Sequence, residues 1–209
     1  MSEQGTAEWM AQRCGRVTAS RVADVIARTK SGYGASRANY MAELIAERLT
    51  GVKSEGYVNG AMQHGIDTEP QARFAYEFHC DVSVVQVGFI EHPRIGMTGA
   101  SPDGLVGDDG LVEIKCPSTA THIDTLLTGT IAEKYITQMQ WQMACTGRAW
   151  CDFVSFDNRM PESMSIFIQR VPRDDARIKQ LEDEVSVFLK ELDSKVGELR
   201  EKYEIKEAA

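Results

Sequence analysis

The run GASPDGLVGDDGLVEIKCP, residues 99–117, constrains the fold more than any other stretch of the chain. Residues 111–117 have the β-branched and aliphatic content of a strand, yet Glu113 and Lys115 sit two apart within them. Alternate side chains of a strand share a face, and a two-residue step covers roughly 7 Å. Both charges therefore point the same way, at the edge of an apolar layer, while Val112, Ile114 and Cys116 point into the core. The GDDG turn has strong hairpin chemistry. It predicts a strand pair over 95–101 and 111–117, with Asp103, just after Pro102, folded back towards Glu113 and Lys115. The plain alternative is a hairpin with solvated surface charges.

Two carboxylates with a free coordination position suit a hard divalent cation such as Mg²⁺, which prefers oxygen ligands and keeps several waters. Such an ion polarises a phosphate and lowers the pKa of a bound water. A neighbouring lysine orients that water and balances developing charge. An acid two residues before a lysine is a weak pattern alone. It recurs here at Asp193–Lys195 and Glu204–Lys206, where a charged helical tail explains it. Only the copy at Glu113 lies in an apolar run ten residues after a Pro-Asp turn.

The 209 residues suit one domain, and 43% apolar content supports a real core. No apolar run approaches the ~20 residues that span a bilayer. The first ten residues have neither a basic nor an apolar signal region, so no signal peptide is expected. Five scattered cysteines without a CxxC pair read as reduced thiols, and four dispersed histidines argue against a histidine metal site. A net charge of −8 excludes a generic basic nucleic-acid coat. Yet residues 11–37 hold six basic side chains against Asp24 alone. That patch is either a solvated face or a phosphate contact on an otherwise acidic body.

Periodicity places helices over 16–28, 36–51, 64–79 and 130–147, and a long charged one from Asp174 onward. In the 64–79 segment Thr68 is the expected cap and Pro70 the first turn, with Ala72, Phe74, Ala75 and Phe78 facing inward. Residues 30–35 read as a glycine loop, and strands are expected over 82–91, 149–157 and 163–171. Gln142 reads as an exposed helix polar residue, and Trp141, Trp150 and Met139 as core. This order suggests an α/β fold, a mixed sheet with helices on both faces. The expected parts are N-terminal helices over 16–79, a catalytic sheet core over 82–171 and a C-terminal helix over 174–206, in a single domain spanning 1–209.

With these motifs in hand, the chain resembles the PD-(D/E)xK nucleases and, more narrowly, the phage lambda exonuclease family of viral recombinases. The resemblance runs from about Trp9 to residue 171 and rests on motifs in order: W-x3-R-x-G-x-VTAS, HGIDTEPQA, ASPDG, EIKCP, YITQMQWQM and FDNRM. It implies a restriction-endonuclease-like core and these roles. Asp103 and Glu113, with the Ile114 carbonyl and Glu69, would hold Mg²⁺, two ions in all, with Mn²⁺ able to substitute. Lys115 would position the nucleophilic water. Arg13, Ser20, Ser101 and Gln138 would bind a 5′-phosphate, and Arg28 and Lys30 would touch the duplex end. The family pattern also implies 5′-to-3′ digestion of one strand of duplex DNA by a homotrimeric ring, partnered by a single-strand annealing protein in the cytoplasm of a bacterial host. The competing expectations are an endonuclease on the same fold and a non-catalytic DNA-end-binding scaffold.

Overall fold

The computed structural model describes residues 4–54 and 60–203. Its elements, in chain order, are α1 (Ala7–Arg13), β1 (Val17–Thr18), a 3₁₀ turn over Ala19–Arg21, α2 (Val22–Val25), β2 (Arg28–Thr29), β3 (Gly32–Tyr33), α3 (Ala35–Thr50), α4 (Gly60–Cys80), β4 (Val84–Val85), β5 (Ile90–Glu91), β6 (Thr98–Ala100), β7 (Gly104–Val106), β8 (Gly110–Lys115), α5 (Thr119–Thr128), α6 (Glu133–Thr146), β9 (Trp150–Phe156), β10 (Ile166–Pro172) and α7 (Asp175–Lys202).

The central sheet has strand order β10-β9-β8-β7-β4, with β8 and β9 parallel and the other pairs antiparallel. A smaller sheet, β1-β6-β5, pairs Val17 with Thr98 in parallel. Each face of the central sheet has its own apolar layer. Leu111 and Phe153 meet Met139 and Met143 of α6, while Val112, Ile114 and Val154 meet Ala72 and Tyr76 of α4. A third cluster joins α2, α3, α6 and α7 through Leu44, Trp141, Phe188 and Leu192. The expected helix-covered mixed sheet is what the chain forms.

Of the stripe that spacing predicts in the long C-terminal helix, Ile178, Leu181, Val185, Phe188, Leu192 and Val196 are buried, Leu199 is half-buried and Tyr203, at the helix end, is exposed. Asp174 caps it, accepting from the Arg177 N–H at 3.0 Å. Residues 204–206 of the expected helix, with their acid–lysine pair, lie outside the described residues. Among the described residues no helix is long and apolar enough to cross a membrane.

Several local expectations fail, for identifiable reasons. The strand pair around GDDG is β7–β8, not 95–101 with 111–117. Residues 98–100 belong to the small sheet, so the chain changes sheets at Ser101–Asp103. Gly104, the first residue of β7, leaves room for Val84 of the neighbouring β4. A Cβ there would come 2.0 Å from Val84 Cγ1. The expected strand over 82–91 is two short strands in different sheets. The helix expected over 16–28 is a strand, a 3₁₀ turn and a single α-turn, and the 30–35 loop holds the turn and second strand of the β2–β3 hairpin. α1 and α5 were not foreseen.

Pro70 misled most. It lies inside α4, ten residues past the helix start, rather than in its first turn. Thr68 is buried mid-helix and caps nothing. The inward face is Ala72, Ala75 and Tyr76, so the two alanines face inward as expected, whereas Phe74 and Phe78 are 71% and 84% exposed. Starting the helix at Gly60 leaves its phase to packing, and the small Ala72 is what the sheet admits.

Candidate active site

Glu113 lies on the α6 face of β8, next to Leu111 and Lys115, as strand alternation requires. It is not at an edge, as the sequence suggests, but fully buried. A buried carboxylate needs partners for both oxygens. Gln138 Nε2 donates to Oε1 at 2.6 Å and Gln142 Nε2 to Oε2 at 2.5 Å. Lys115 Nζ forms an ion pair with the same Oε1. The ammonium also lies 5.2 Å from the Tyr135 ring centroid, beside a cavity of about 160 Å³ lined by Lys115, Thr121, Thr125, Tyr135, Phe153 and Ser155.

Asp103 sits where the chain passes from β6 to β7, opposite the end of β8. Its Oδ2 accepts from the Ile114 N–H at 2.6 Å. Burial, followed by the charge of Glu113, holds its carboxyl well above the usual range; Glu69 adds to this, while Lys115 and the Ile114 N–H oppose it. For Lys115, burial works against the charged form, but Glu113 and Asp103 outweigh it and keep the ammonium firmly protonated.

Glu69 reaches the group from α4. The sequence puts it at a helix start, but it lies in mid-helix and pairs with Arg73 at 3.1 Å. Gly65, one turn earlier on the same face, lies against β8: a Cβ there would be 3.9 Å from the Cys116 carbonyl oxygen. Glu69's charge also helps raise the Cys116 thiol to about 12, after burial as the first cause.

The expected phosphate pocket is partly assembled. Arg13 Nη1 donates to Ser101 Oγ at 3.2 Å, Trp9 Nε1 donates to the same oxygen at 2.9 Å, and the Arg13 guanidinium lies 4.0 Å from the Trp9 ring centroid. Arg13 Nε has no partner among the described residues, and burial lowers the group's pKa from its ordinary value. A half-buried cation so placed is suited to an anion. Ser20, exposed, follows β1 on the side where Ser101 follows β6, with its Oγ 3.5 Å from Thr18 Oγ1. Gln138 is not in this group, since its amide is on Glu113. Arg28 donates to Glu184 at 2.6 Å and to Tyr33 at 3.3 Å, and Lys30 is exposed in the adjoining hairpin.

Sequence reasoning missed several supporting residues. Gln142, read as exposed, has no exposure at all. Its signal was the four-residue step from Gln138 inside QMQWQM, a helix apolar on both sides of each glutamine. Gln140, on the other side of α6, accepts from the Asp174 N–H and donates to the Pro172 carbonyl. Gln4 Nε2 donates to the Pro102 and Val87 carbonyls, both at 2.9 Å, and so pins the SPDG turn. FDNRM acquires a structural role. Arg159 spans Asp157 and the Pro117 carbonyl, and Asn158 donates to Gln71 of α4, tying the exit of β8 to that helix. Gly15 of the N-terminal motif has φ +69°, and a Cβ there would meet Arg48 Cγ at 2.8 Å. Trp141 and Met139 are core as expected, while Trp150 is half-buried, with Arg170 3.4 Å from its ring centroid.

The chain and its fold have counterparts among known proteins. Residues 8–149 match the family model described as the YqaJ-like viral recombinase domain. The crystal structure of an alkaline exonuclease (LHK-Exo) from Laribacter hongkongensis is 56% identical, with 95% of this chain and 98% of that chain covered and a TM-score of 0.89. Its complex with dAMP aligns equally well. A phage-related exonuclease from Haemophilus somnus 129PT shares the fold at 18% identity, covering 88% of this chain and 96% of that one with a TM-score of 0.70. No curated protein sequence matches.

Proposed function

Since the chain belongs to the YqaJ-like viral recombinase family, we propose that it is a metal-dependent DNA exonuclease that digests one strand of a duplex from its 5′ end. Mononucleotides leave, and a 3′ single-stranded overhang remains for annealing-type recombination. The observation that carries this reading is the convergence of Asp103, Glu113 and Lys115 at the junction of two sheets. The 56% identical relative is an alkaline exonuclease, studied with dAMP, which supports DNA as substrate and a mononucleotide as product.

Asp103 and Glu113 offer the oxygen donors a hard dication takes, although among the described residues no three His, Cys, Asp or Glu side chains are set to hold an ion by themselves. Burial and two neighbouring acids raise Asp103, so the site carries more negative charge than one ammonium offsets. Asp103, Glu113 and the Ile114 carbonyl would hold Mg²⁺, with Glu69 in support. Two ions are expected, and Mn²⁺ would substitute. When bound, the metal supplies Lewis acidity towards the scissile phosphate and an acidified water. Lys115 orients that water and balances charge as the phosphate is attacked. Gln138 and Gln142 hold the Glu113 carboxylate still.

Digestion of end-labelled duplex with Mg²⁺ and with EDTA tests the assignment. Loss of short labelled product only in EDTA is expected. Activity that survives chelation removes the metal role. Closed circular DNA should resist, because an exonuclease needs an end; its cutting would favour the endonuclease reading.

Arg13, Ser101 and Ser20 are proposed to receive the 5′-phosphate, without Gln138, whose amide is engaged by Glu113. Charge-assisted bonds from a planar guanidinium suit that group. A 5′-hydroxyl end is expected to be digested at least ~10-fold more slowly than a 5′-phosphorylated one, the cost of one such interaction. Arg13→Ala should equalise the two rates by slowing only the phosphorylated end. If the parent already treats both ends alike, the pocket lies elsewhere. Arg28 and Lys30 are proposed as weaker contacts to the duplex, in a homotrimeric ring with a single-strand annealing protein as partner, acting in the cytoplasm of a bacterial host.

A further inference from the structure

We infer that Gln142 is a positioning residue that fixes the Glu113 carboxylate for metal binding, a role that rests on the nuclease reading above. The argument starts from what each of the two glutamines can reach. Gln138 and Gln142 stand one turn apart on α6 and grip different oxygens of one carboxylate, Oε1 at 2.6 Å and Oε2 at 2.5 Å. Gln138 is 9% exposed and lies on the side where Lys115 also meets Oε1. Gln142 has no exposure, so it touches neither substrate nor solvent.

The amide's other end supports the assignment. Gln142 Oε1 is buried and has no hydrogen-bond partner among the described residues. Turning the amide over would set an oxygen against the ionised carboxylate, so the charge on Glu113 determines its orientation. A buried acceptor left unsatisfied is unfavourable, and a side chain serving only to fill space would be better replaced by an apolar one of similar length. Gln142 thus works only through Glu113. It stops rotation of the carboxylate about its terminal bond and leaves Oε1 facing Gln138 and Lys115.

The test compares Gln142→Met, which keeps length and removes the donor, with Gln140→Met. Gln140 has the same chemistry on the same helix, but its bonds go to Pro172 and Asp174. For Gln142→Met, the turnover number is expected to fall about 10- to 100-fold, and Mn²⁺ affinity of the DNA-free protein, by calorimetry, to fall about 10-fold, as for lost outer contacts to a metal ligand. KM for duplex ends should stay within about twofold. Gln140→Met should lower the melting temperature and leave turnover and Mn²⁺ affinity near the parent's. A folded Gln142→Met protein with parental turnover and Mn²⁺ affinity overturns the inference. Should that variant not fold, the parent's own Gln142 side-chain amide resonances decide. They must shift on Glu113→Gln, and unchanged resonances overturn the contact. A parent that neither digests DNA nor binds Mn²⁺ would instead remove the nuclease reading.

Discussion

Lys115→Ala should reduce duplex digestion by about 10³-fold, the scale of losing a group that orients the nucleophile and balances developing charge. The side chain is 26% exposed, while its partner Glu113 is 1% exposed, so the ammonium stands at the mouth of the site with the carboxylate beneath. Burial opposes its charge, but the charges of Glu113 and Asp103 prevail and raise its pKa. A cation raised in the fold contributes stability that is complete below its unfolded pKa and lost only as pH rises through the folded one. At neutral pH that contribution is fully present. Removing the ammonium therefore also destabilises the protein, by ~1–3 kcal/mol, because Glu113 then keeps only its two amide donors against the charge of Asp103. Mg²⁺ should restore much of the lost melting temperature, since a dication replaces the missing positive charge, but not the lost rate. Melting curves in EDTA and in Mg²⁺, beside turnover, separate the two effects. A variant digesting DNA within tenfold of the parent would remove Lys115 from the chemistry.

The residues that meet at the site were legible because a strand's two-residue period is rigid. Once 111–117 is a strand, Glu113 and Lys115 must share a face, whatever surrounds them. The α7 stripe was legible for the same reason, with the helical period in its place. What was hidden depends on contacts remote in sequence. Nothing local says that residues 98–100 join a strand from the N-terminus, so the sheet change at Asp103 was invisible and the hairpin was drawn with the wrong partner. Pro70 is a helix-start signal that packing against the sheet overrides. Gln142 was hidden because an amide in a helix reads as solvated until its helix proves buried on every side. The N-terminal motif named Trp9 without a role, and that residue becomes intelligible only when its ring lies under Arg13 and its N–H reaches Ser101.

Asp103→Asn should abolish digestion, by about 10³-fold or more, and yet make the protein more heat-stable in EDTA. Burial comes first, then the negative charge of Glu113 and of Glu69; together they exceed the help from Lys115 and the Ile114 N–H, so the carboxyl stands well above its ordinary value of 3.8. For an acid raised in this way, the folded state binds its proton more tightly than the unfolded chain. The stability this gives is complete below the unfolded value near 3.8 and disappears as pH rises through the folded one. Above that folded value the parent therefore carries an ionised Asp103 at a cost that an amide of the same shape avoids. The Asn oxygen can still accept from Ile114, and the Glu113–Lys115 pair is left balanced. A rise of about 2–4 °C is expected once the pH exceeds the folded value, as ~1 kcal/mol gives a chain of this size, shrinking as the pH is lowered through it. Mg²⁺ should reverse the order, because only the parent gains stability from a bound ion. A variant less stable than the parent in EDTA at neutral pH, with no dependence on pH, would mean that Asp103 is held by compensating bonds rather than strained by its neighbours. The accumulated negative charge would then not be what draws a dication to this junction.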